Sequence, residues 1–304
     1  MSCDDNATEQ SGDNMNTFIT YEKRLQRLYD KNEARSILRL FIEKRYGLSL
    51  TDICLGELKN LSKTQSEELQ EAVSRLEKGE PVQYILGVAD FLGREFAVRS
   101  GVLIPRPETE ELVNIVVERL NTIQNTGKKP KSVLDIGCGS GCISVSIALE
   151  SDAHVTAWDI SDTALSTTRE NARLLGADIE VVRQDALDAP ADDTALWDII
   201  VSNPPYICTR EAEEMERNVL DYEPHTALFV PDTDPLLFYR AIALYASHAL
   251  KPGGTLCFEI NAAYGEEMTE MMQSVGCFEN IEVLKDAFGR ERFLVAGGFA
   301  CGTS

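Results

Sequence analysis

The chain has 304 residues, which is more than a single hydrophobic core usually organises, so two domains are the natural expectation. Hydrophobic residues make up 43% of the sequence and charged residues 26%, a composition typical of a soluble globular protein. Its formal net charge of −21 argues against a nucleic-acid partner, since affinity for a phosphate backbone comes largely from Lys and Arg.

The first residues and the cysteines indicate the compartment. Residues 1–16 carry four acidic and no basic side chains, which predicts a disordered leader and leaves Met15 as an alternative start. This beginning is unlike the basic one of a signal peptide, and no apolar run approaches the roughly 20 residues that span a bilayer. The eight cysteines are scattered, without a CxxC pair or a nearby histidine that would make a zinc site. We therefore expect a cytoplasmic protein with reduced thiols, no metal and no membrane contact.

Residues 17–80 have the pattern of a small helical domain. Apolar residues recur there at spacings of three and four, which predicts a helical bundle. Gly47 is expected to end one helix, and Thr51 or Ser66 to cap others.

The charge of this helical region differs from that of the rest of the chain. Residues 17–80 carry a net charge of +1, and residues 81–304 carry −18. Arg27, Lys31, Arg35 and Arg39 recur at steps of four and line one helical face. We interpret this basic stripe as a solvated face, with docking of an acidic partner as the alternative.

The composition changes over residues 81–107, where β-forming residues, glycines and prolines predominate. This pattern predicts a β-hairpin linker that closes on the rigid turn Ile104-Pro105-Arg106-Pro107. Phe91 and Phe96 within it are expected to be core residues and not substrate contacts.

From Glu108 onward, short apolar runs alternate with helical stretches. Such alternation predicts an α/β domain over residues 108–304, with a mostly parallel seven-stranded sheet and helices on both faces. The predicted strands are Ser132–Asp135, Val155–Asp159, Ile179–Arg183, Trp197–Ser202, Thr255–Ile260, Ile281–Leu284 and Phe293–Ala296.

A glycine-rich loop follows the first of these strands. Behind Asp135 the sequence continues with Gly137, Cys138, Gly139, Ser140 and Gly141, and then with a helix from Cys142. Glycines allow a tight turn and close approach to a ligand, and this loop lies at the sheet edge where such folds bind ligands. The spacing is GxGxG, not the GxGxxG of dinucleotide loops, and no Lys-Ser/Thr pair follows to hold a triphosphate. The loop therefore suits a ligand without phosphates, the alternative being a βα turn that binds nothing.

One acidic residue closes the second predicted strand, and another follows the third. Asp159 is placed to accept hydrogen bonds from both hydroxyls of a ribose, and Asp185 from an adenine amino group. Each could instead cap a helix. In this order the loop and the two acids resemble the motifs of class I S-adenosylmethionine-dependent methyltransferases, over about residues 132–296. The resemblance implies a Rossmann-like fold, S-adenosylmethionine as cofactor and S-adenosylhomocysteine as product.

The fourth strand ends in Asn203-Pro204-Pro205-Tyr206. The prolines restrict the backbone, so the Asn203 side-chain oxygen and the Pro204 carbonyl are expected to be fixed acceptors for a planar NH2 group. Catalysis would then rest on positioning, with Tyr206 packing on the plane of the target and the proton leaving after transfer, since no histidine lies beside the motif. The alternative is an ordinary proline-rich turn. The motif resembles the signature shared by adenine-N6 and glutamine-N5 methyltransferases.

Three further stretches narrow the substrate: residues 104–110 (IPRPETE), 222–228 (YEPHTAL) and 286–292 (DAFGRER). With the helical region, they resemble the peptide chain release factor N5-glutamine methyltransferase family, also called PrmC or HemK. The resemblance implies that class 1 release factors are the protein substrate, with the glutamine of their Gly-Gly-Gln motif as the target, and that residues 17–80 dock the partner.

The same resemblance assigns the site residues. Cofactor binding falls to the loop Gly137–Gly141, Asp159, Asp185, Ala186 and Asn203, and substrate binding to Asn203, Pro204, Pro205 and Tyr206, with Asn203 and Pro204 catalytic. Ala186 departs from the family, which often has a bulky residue there. Arg106 and Glu108 are expected to order the mouth of the active site or, as equal alternatives, to pair with each other or to cap the next helix, and His225 receives no role.

Three other functions remain open at this point. The first is a glutamine methyltransferase that acts on ribosomal protein L3 through a different docking domain. The second is an adenine methyltransferase of nucleic acid, against which the charge argues. The third is a non-catalytic binding module that has kept the fold, because fold alone never proves activity.

Overall fold

The structure is a computed structural model that describes residues 17–123 and 130–298; the predicted leader, residues 1–16, lies outside them. The chain divides into two compact units. The first contains the described residues up to Gly87 together with Glu216–Tyr222, and the second contains Val88–Met215 and the described residues from Glu223 onward. The functions assigned to the parts of the chain stay predictions.

The first unit is helical. Its core is made by the apolar positions that recur at helical spacing, and Leu25, Leu38, Ile42 and Leu76 are fully buried. Its elements are α1 (residues 17–25), α2 (Lys31–Tyr46), α3 (Leu50–Cys54), a 3-10 turn (Glu57–Asn60), α4 (Lys63–Leu76), α5 (Val82–Leu86) and α9 (Arg217–Tyr222). In α9, the Tyr222 hydroxyl donates to the Lys78 carbonyl at 3.1 Å.

The ends of these helices confirm one prediction and correct another. Gly47 ends α2 in the left-handed conformation, at φ +69°, as expected. The N-caps of α3 and α4 are Ser49 and Ser62, each in a capping box with the residue three positions later. The assignment of Thr51 and Ser66 as caps was therefore wrong, since both lie inside the helices.

The basic stripe is partly neutralised within the first unit. Arg35 forms an ion pair with Glu22, with 3.1 Å between Nε and Oε2, and Arg39 pairs with Glu43 at 3.5 Å. These pairs favour the interpretation of the stripe as a solvated face.

The predicted hairpin opens the second unit. Strands β1 (Val88–Phe91) and β2 (Arg94–Ala97) pair antiparallel, and Phe91 packs edge to face on Phe96 with both rings buried. The prediction that these two rings are core residues is confirmed. The predicted linker over residues 81–107 also contains α5, a helix that sequence reasoning missed.

The second unit is built on a seven-stranded sheet with strand order β10-β11-β9-β6-β3-β4-β5. All pairs are parallel except those of β11, which runs antiparallel between β9 and β10. The mostly parallel sheet is therefore confirmed. Its strands are β3 (Ser132–Ile136), β4 (His154–Asp159), β5 (Ile179–Arg183), β6 (Trp197–Ser202), β9 (Leu250–Glu259), β10 (Asn280–Lys285) and β11 (Glu291–Gly297).

Helices cover both faces of this sheet, because its strands are apolar on both sides. Val133 and Ile199 face a cluster with α6, α7 and α8, and Leu134 and Ile200 face one with α11 and α12. The helices and remaining short strands are α6 (Pro107–Thr122), α7 (Cys142–Glu150), α8 (Asp162–Leu175), β7 (Ile207–Cys208), α10 (His225–Leu228), β8 (Phe229–Val230), α11 (Leu237–Ala249) and α12 (Gly265–Val275).

One side chain of α8 ties the hairpin to the glycine loop. Asn171 is fully buried; its Oδ1 accepts from the Ala97 N–H at 2.7 Å, and its Nδ2 donates to the carbonyls of Ala97 at 3.0 Å and Ser140 at 2.8 Å. These bonds satisfy three backbone groups, of which the Ser140 carbonyl is buried and the two of Ala97 are partly buried.

We expect Asn171→Ala to lower the free energy of unfolding by about 2–4 kcal/mol, because one buried and two partly buried backbone groups lose their partner. Chemical denaturation of the purified proteins measures this loss. Arg173→Ala, on the exposed side of the same helix, is the control and should stay near wild type. Equal stability of the two variants would contradict the role given to Asn171.

Candidate functional site

The predicted site residues line a cavity of about 410 Å³ at the carboxyl ends of the parallel strands. It lies where the strand order reverses, between β3 and β6, which is where open α/β sheets bind ligands. The Ser202 hydroxyl at the end of β6 donates to the Ile136 carbonyl at the end of β3, at 2.6 Å. The predicted residues that line the cavity are Gly137, Cys138, Gly139, Ser140, Asp159, Asp185, Ala186, Asn203, Pro204 and Pro205.

The glycines of the loop have two different roles. All three have positive φ: +79° at Gly137, +55° at Gly139 and +79° at Gly141. A Cβ at Gly137 or Gly139 would meet no protein atom within 4 Å, so both leave open space at the cavity wall. A Cβ at Gly141 would come within 2.8 Å of Thr168 Cγ2 and 3.2 Å of its Cα. Gly141 therefore packs the loop against α8 and does not line the cavity.

Asp159 stands at the end of β4 and holds the glycine loop. Its Oδ2 accepts from the Gly139 N–H at 2.9 Å and its Oδ1 from the Ser161 N–H at 2.8 Å. Burial raises the pKa of this carboxyl, and the backbone hydrogen bonds oppose that rise. Each oxygen keeps a lone pair, so the carboxylate can still accept from a pair of hydroxyls.

Asp185 and Ala186 follow β5. Asp185 caps a 3-10 turn (Ala186–Asp188) by accepting from the Leu187 N–H at 2.9 Å, which is the alternative that the sequence left open. Capping does not remove the residue from the cavity, where Ala186 also lies.

Asn203 presents its side chain in a defined way. Its Nδ2 donates to the Thr109 hydroxyl at 3.3 Å. Within the described residues, neither its Oδ1 nor the Pro204 carbonyl accepts a hydrogen bond, and both residues line the cavity. The arrangement can therefore offer two acceptors to a donor group in the cavity.

Tyr206 lies outside the set of cavity-lining residues. Its ring packs against the core cluster that includes α11 and α12. Its hydroxyl donates to Glu259 Oε1 at 3.4 Å. Its packing on the target plane stays a prediction.

The other family-like stretches contribute charged partners beside the cavity. Arg106 does not pair with Glu108; it forms an ion pair of 2.6 Å with Glu223, whose Oε2 also accepts from the Ile104 N–H at 3.2 Å. Glu108 lies in the first turn of α6, where an acid is favoured. His225 begins α10, and its ring packs edge to face on Phe229, which lines the cavity.

The acid before the loop is a buried residue to which sequence reasoning gave no role. Asp135 is fully buried, and its Oδ2 accepts from the Ser144 N–H at 3.1 Å. Its Oδ1 has no hydrogen-bond partner among the described residues. Burial raises the pKa of this carboxyl to about 7.

Comparisons with known proteins decide the family. The family described as PrmC N-terminal domain matches residues 19–87, and Methyltransferase small domain matches residues 114–221. The release factor glutamine methyltransferase of Bacteroides thetaiotaomicron is 45% identical over 284 residues, covering 93% of this chain and 99% of that protein. That of Flavobacterium psychrophilum is 40% identical over 271 residues, covering 89% and 94%. This chain belongs to the release factor glutamine methyltransferase family.

The fold also recurs in solved structures. The catalytic domain of hMettl16, solved in complex with MAT2A 3'UTR hairpin 1, superposes with a TM-score of 0.55 at 16% identity. The match covers 75% of this chain and 82% of that one. At this identity the likeness shows the fold alone.

S-adenosylmethionine is the cofactor of this methyltransferase, and the cavity fits it. The glycine loop leaves open space without a phosphate-binding lysine, and Asp159 can accept from ribose hydroxyls. Ile160 and Leu187 also line the cavity, 53% and 48% exposed, and offer apolar surface suited to a planar base. Sequence reasoning missed both, since an apolar residue in a loop carries no distinctive signal.

Two further observations bear on other ligands. Among the residues that the structure describes, no group of three or more His, Cys, Asp or Glu side chains is arranged to hold a metal ion. In the same part of the chain, no helix is both long and apolar enough to cross a membrane.

We expect Asp159→Ala to weaken S-adenosylmethionine binding at least about tenfold, because a charged acceptor and the support of Gly139 are lost together. Isothermal titration calorimetry measures the dissociation constant. Asp162→Ala removes a highly exposed carboxylate three residues further along and should bind as wild type does. Unchanged affinity of Asp159→Ala would refute the assignment.

The raised pKa of Asp135 predicts how the stability of the protein depends on pH. Above the ordinary carboxyl pKa of 3.8 the unfolded chain ionises this group, whereas the folded protein keeps it protonated up to about pH 7. Its contribution to stability is therefore lost as the pH rises through this range. Thermal unfolding of wild type and Asp135→Asn, from about pH 5 to about pH 8, should show the melting temperature of the variant rising relative to wild type by several degrees. A difference that does not vary with pH would show that Asp135 is ionised throughout.

Proposed function

We propose that this protein transfers a methyl group from S-adenosylmethionine to the side-chain amide nitrogen (N5) of the glutamine in the Gly-Gly-Gln motif of class 1 peptide chain release factors, and so modulates translation termination. The observation that carries the proposal is the pair of uncommitted acceptors, on Asn203 and Pro204, in one cavity with the cofactor residues. Family membership supports the choice of substrate.

The role of the acceptors follows from the chemistry of the target. A carboxamide NH2 has two donors and a delocalised lone pair, so its nitrogen is a weak nucleophile. The Asn203 Oδ1 and the Pro204 carbonyl would accept one N–H each and hold the nitrogen toward the cofactor side of the cavity. When bound, the cofactor would supply an activated methyl group on its sulfonium, and the N–C bond would form as the C–S bond breaks. Alignment of this kind contributes on the order of 7–11 kcal/mol in favourable systems.

Loss of the proton comes after methyl transfer in this proposal. Among the described residues, no histidine, lysine or glutamate lines the cavity, and its two carboxylates are those assigned to the cofactor. The lining residues therefore supply no general base before transfer, and the methylated nitrogen, which is cationic and acidic, releases its proton afterwards.

The partner and the location are part of the same proposal. A chain with a net charge of −21 is a poor ligand for a phosphate backbone, which favours a protein over a nucleic acid as the direct substrate. The cysteines that the structure describes are free thiols, which supports a reducing compartment such as the cytoplasm.

The deciding experiment presents the enzyme with alternative substrates. Purified release factor, ribosomal protein L3 and an adenine-containing oligonucleotide are incubated separately with enzyme and S-adenosylmethionine, and the methyl group is located by mass spectrometry. We expect methylation of the Gly-Gly-Gln glutamine. A methyl group found only on L3, or only on adenine, would replace the proposed substrate.

The positioning mechanism predicts the behaviour of Asn203→Ala. Loss of one acceptor should lower kcat for release factor by about 100-fold, whereas the affinity for S-adenosylmethionine, measured by calorimetry, should change by no more than about threefold. The exposed Asn121→Ala on α6 is the matched control and should retain full turnover. Undiminished kcat in Asn203→Ala would exclude catalysis by positioning.

A further inference from the structure

A chain of buried hydrogen bonds lies behind Asn203. The Asn203 Nδ2 donates to Thr109 Oγ1 at 3.3 Å, and the Thr109 hydroxyl donates to Glu259 Oε2 at 2.7 Å. The Tyr206 hydroxyl donates to the other oxygen of Glu259 at 3.4 Å. Thr109 and Glu259 are only 3% and 2% exposed. The chain joins the start of α6, the end of β6 and the end of β9, which are distant in sequence.

The direction of this chain follows from the donors and acceptors that its members possess. An ionised carboxylate only accepts, and a threonine hydroxyl has a single proton to give. Because Thr109 gives that proton to Glu259, the Thr109 oxygen can only accept a hydrogen bond from Asn203 on its other side. The NH2 group is the sole donor of the Asn203 side chain, so it must face Thr109. The Oδ1 of the same amide therefore points away from Thr109.

We propose that Glu259 and Thr109 are positioning residues that fix the orientation of the Asn203 amide, so that its oxygen and not its NH2 meets the substrate. The inference rests on the proposed function, since the substrate NH2 is what requires an acceptor at this place. An inverted amide would set NH2 against NH2, two donors without an acceptor between them, and the buried groups would lose their partners.

The surroundings of Glu259 bear on its charge. The pKa of this carboxyl is raised, because burial outweighs the hydrogen bond from Thr109 and the nearby Arg292 guanidinium, which lower it. Arg292 is itself held by Asp286, with 3.5 Å between Nε and Oδ2. Both of these residues belong to the stretch at 286–292, which gives that stretch a place in the network although it does not line the cavity.

The first test uses Thr109, because two variants separate its hydroxyl from its shape. Thr109→Val keeps the shape and removes the hydrogen bonds to Asn203 and Glu259, whereas Thr109→Ser keeps the hydroxyl that makes them. We expect the valine variant to lose at least about tenfold in kcat for release factor, with the KM for S-adenosylmethionine unchanged, and the serine variant to stay within about twofold of wild type. Thr122→Val, at the exposed end of the same helix, controls for the substitution itself. Thermal unfolding of each variant shows that it is folded.

The second test reverses the donors and acceptors along this chain of hydrogen bonds. Glu259→Gln can present either end of its amide to Thr109, so Asn203 is no longer held in one orientation and kcat should fall. Asn203→Asp alone leaves two carboxylates competing for one threonine proton and should also be impaired. In the double variant Asn203→Asp/Glu259→Gln, the glutamine donates to Thr109 and Thr109 donates to the aspartate, which presents an oxygen in any orientation. We therefore expect the double variant to be faster than either single variant.

The outcomes separate this proposal from the proposed function. Failure of the wild-type enzyme to methylate release factor refutes the function. If the wild type is active, the positioning role is overturned by wild-type kcat in Thr109→Val, by equal losses in the valine and serine variants, or by additive losses in the double variant. A purely structural role for these residues predicts the last two results.

Discussion

The parallel pairing of β3 with β6 is the constraint on which the site depends. The glycine loop leaves the end of β3 and the Asn-Pro-Pro-Tyr segment leaves the end of β6, and the two ends are joined by the hydrogen bond from Ser202 to Ile136. The sheet reverses its strand order here, so neighbouring helices leave on opposite faces and open a crevice between them. A register shift of one residue would exchange the β6 residues that face the two helix layers and would move the end of β6 by about 3.3 Å relative to the end of β3.

A second set of contacts holds the cavity from behind. The chain is strongly acidic, and three acids beside the site are buried and partnered: Glu223 by Arg106, Asp286 by Arg292, and Glu259 by two hydroxyls. Buried charges of this kind contribute little net stability, since desolvation offsets much of the attraction. Their value is geometric, because a side chain with every polar atom engaged has one orientation.

Much of the fold could be predicted because its signals are local. Strands buried on both faces contain continuous apolar runs, as at residues 199–201, and the glycine loop follows its strand directly. Helix α5 was missed because VQYIL has the composition of a strand; Pro81 and Gly87, which bound it, decided the conformation. The hydrogen bond from Thr109 to Glu259 joins residues 150 positions apart, and no local sequence pattern predicts such a pair. Asn203 and Asp159 could be proposed from motifs, whereas the atoms that orient them belong to tertiary structure.

The path of the chain between the two units has a consequence for engineering. The polypeptide passes from the first unit to the second after Gly87, returns for Glu216–Tyr222 and crosses again before Glu223. The first unit therefore cannot be removed by a single truncation. A fragment beginning at Val88 would keep α9 but lose the Lys78 carbonyl to which the Tyr222 hydroxyl donates. Exchanging this region between relatives requires grafting both pieces together. The second graft would end next to Glu223, the glutamate that pairs with Arg106, so its junction would lie beside a residue that lines the cavity.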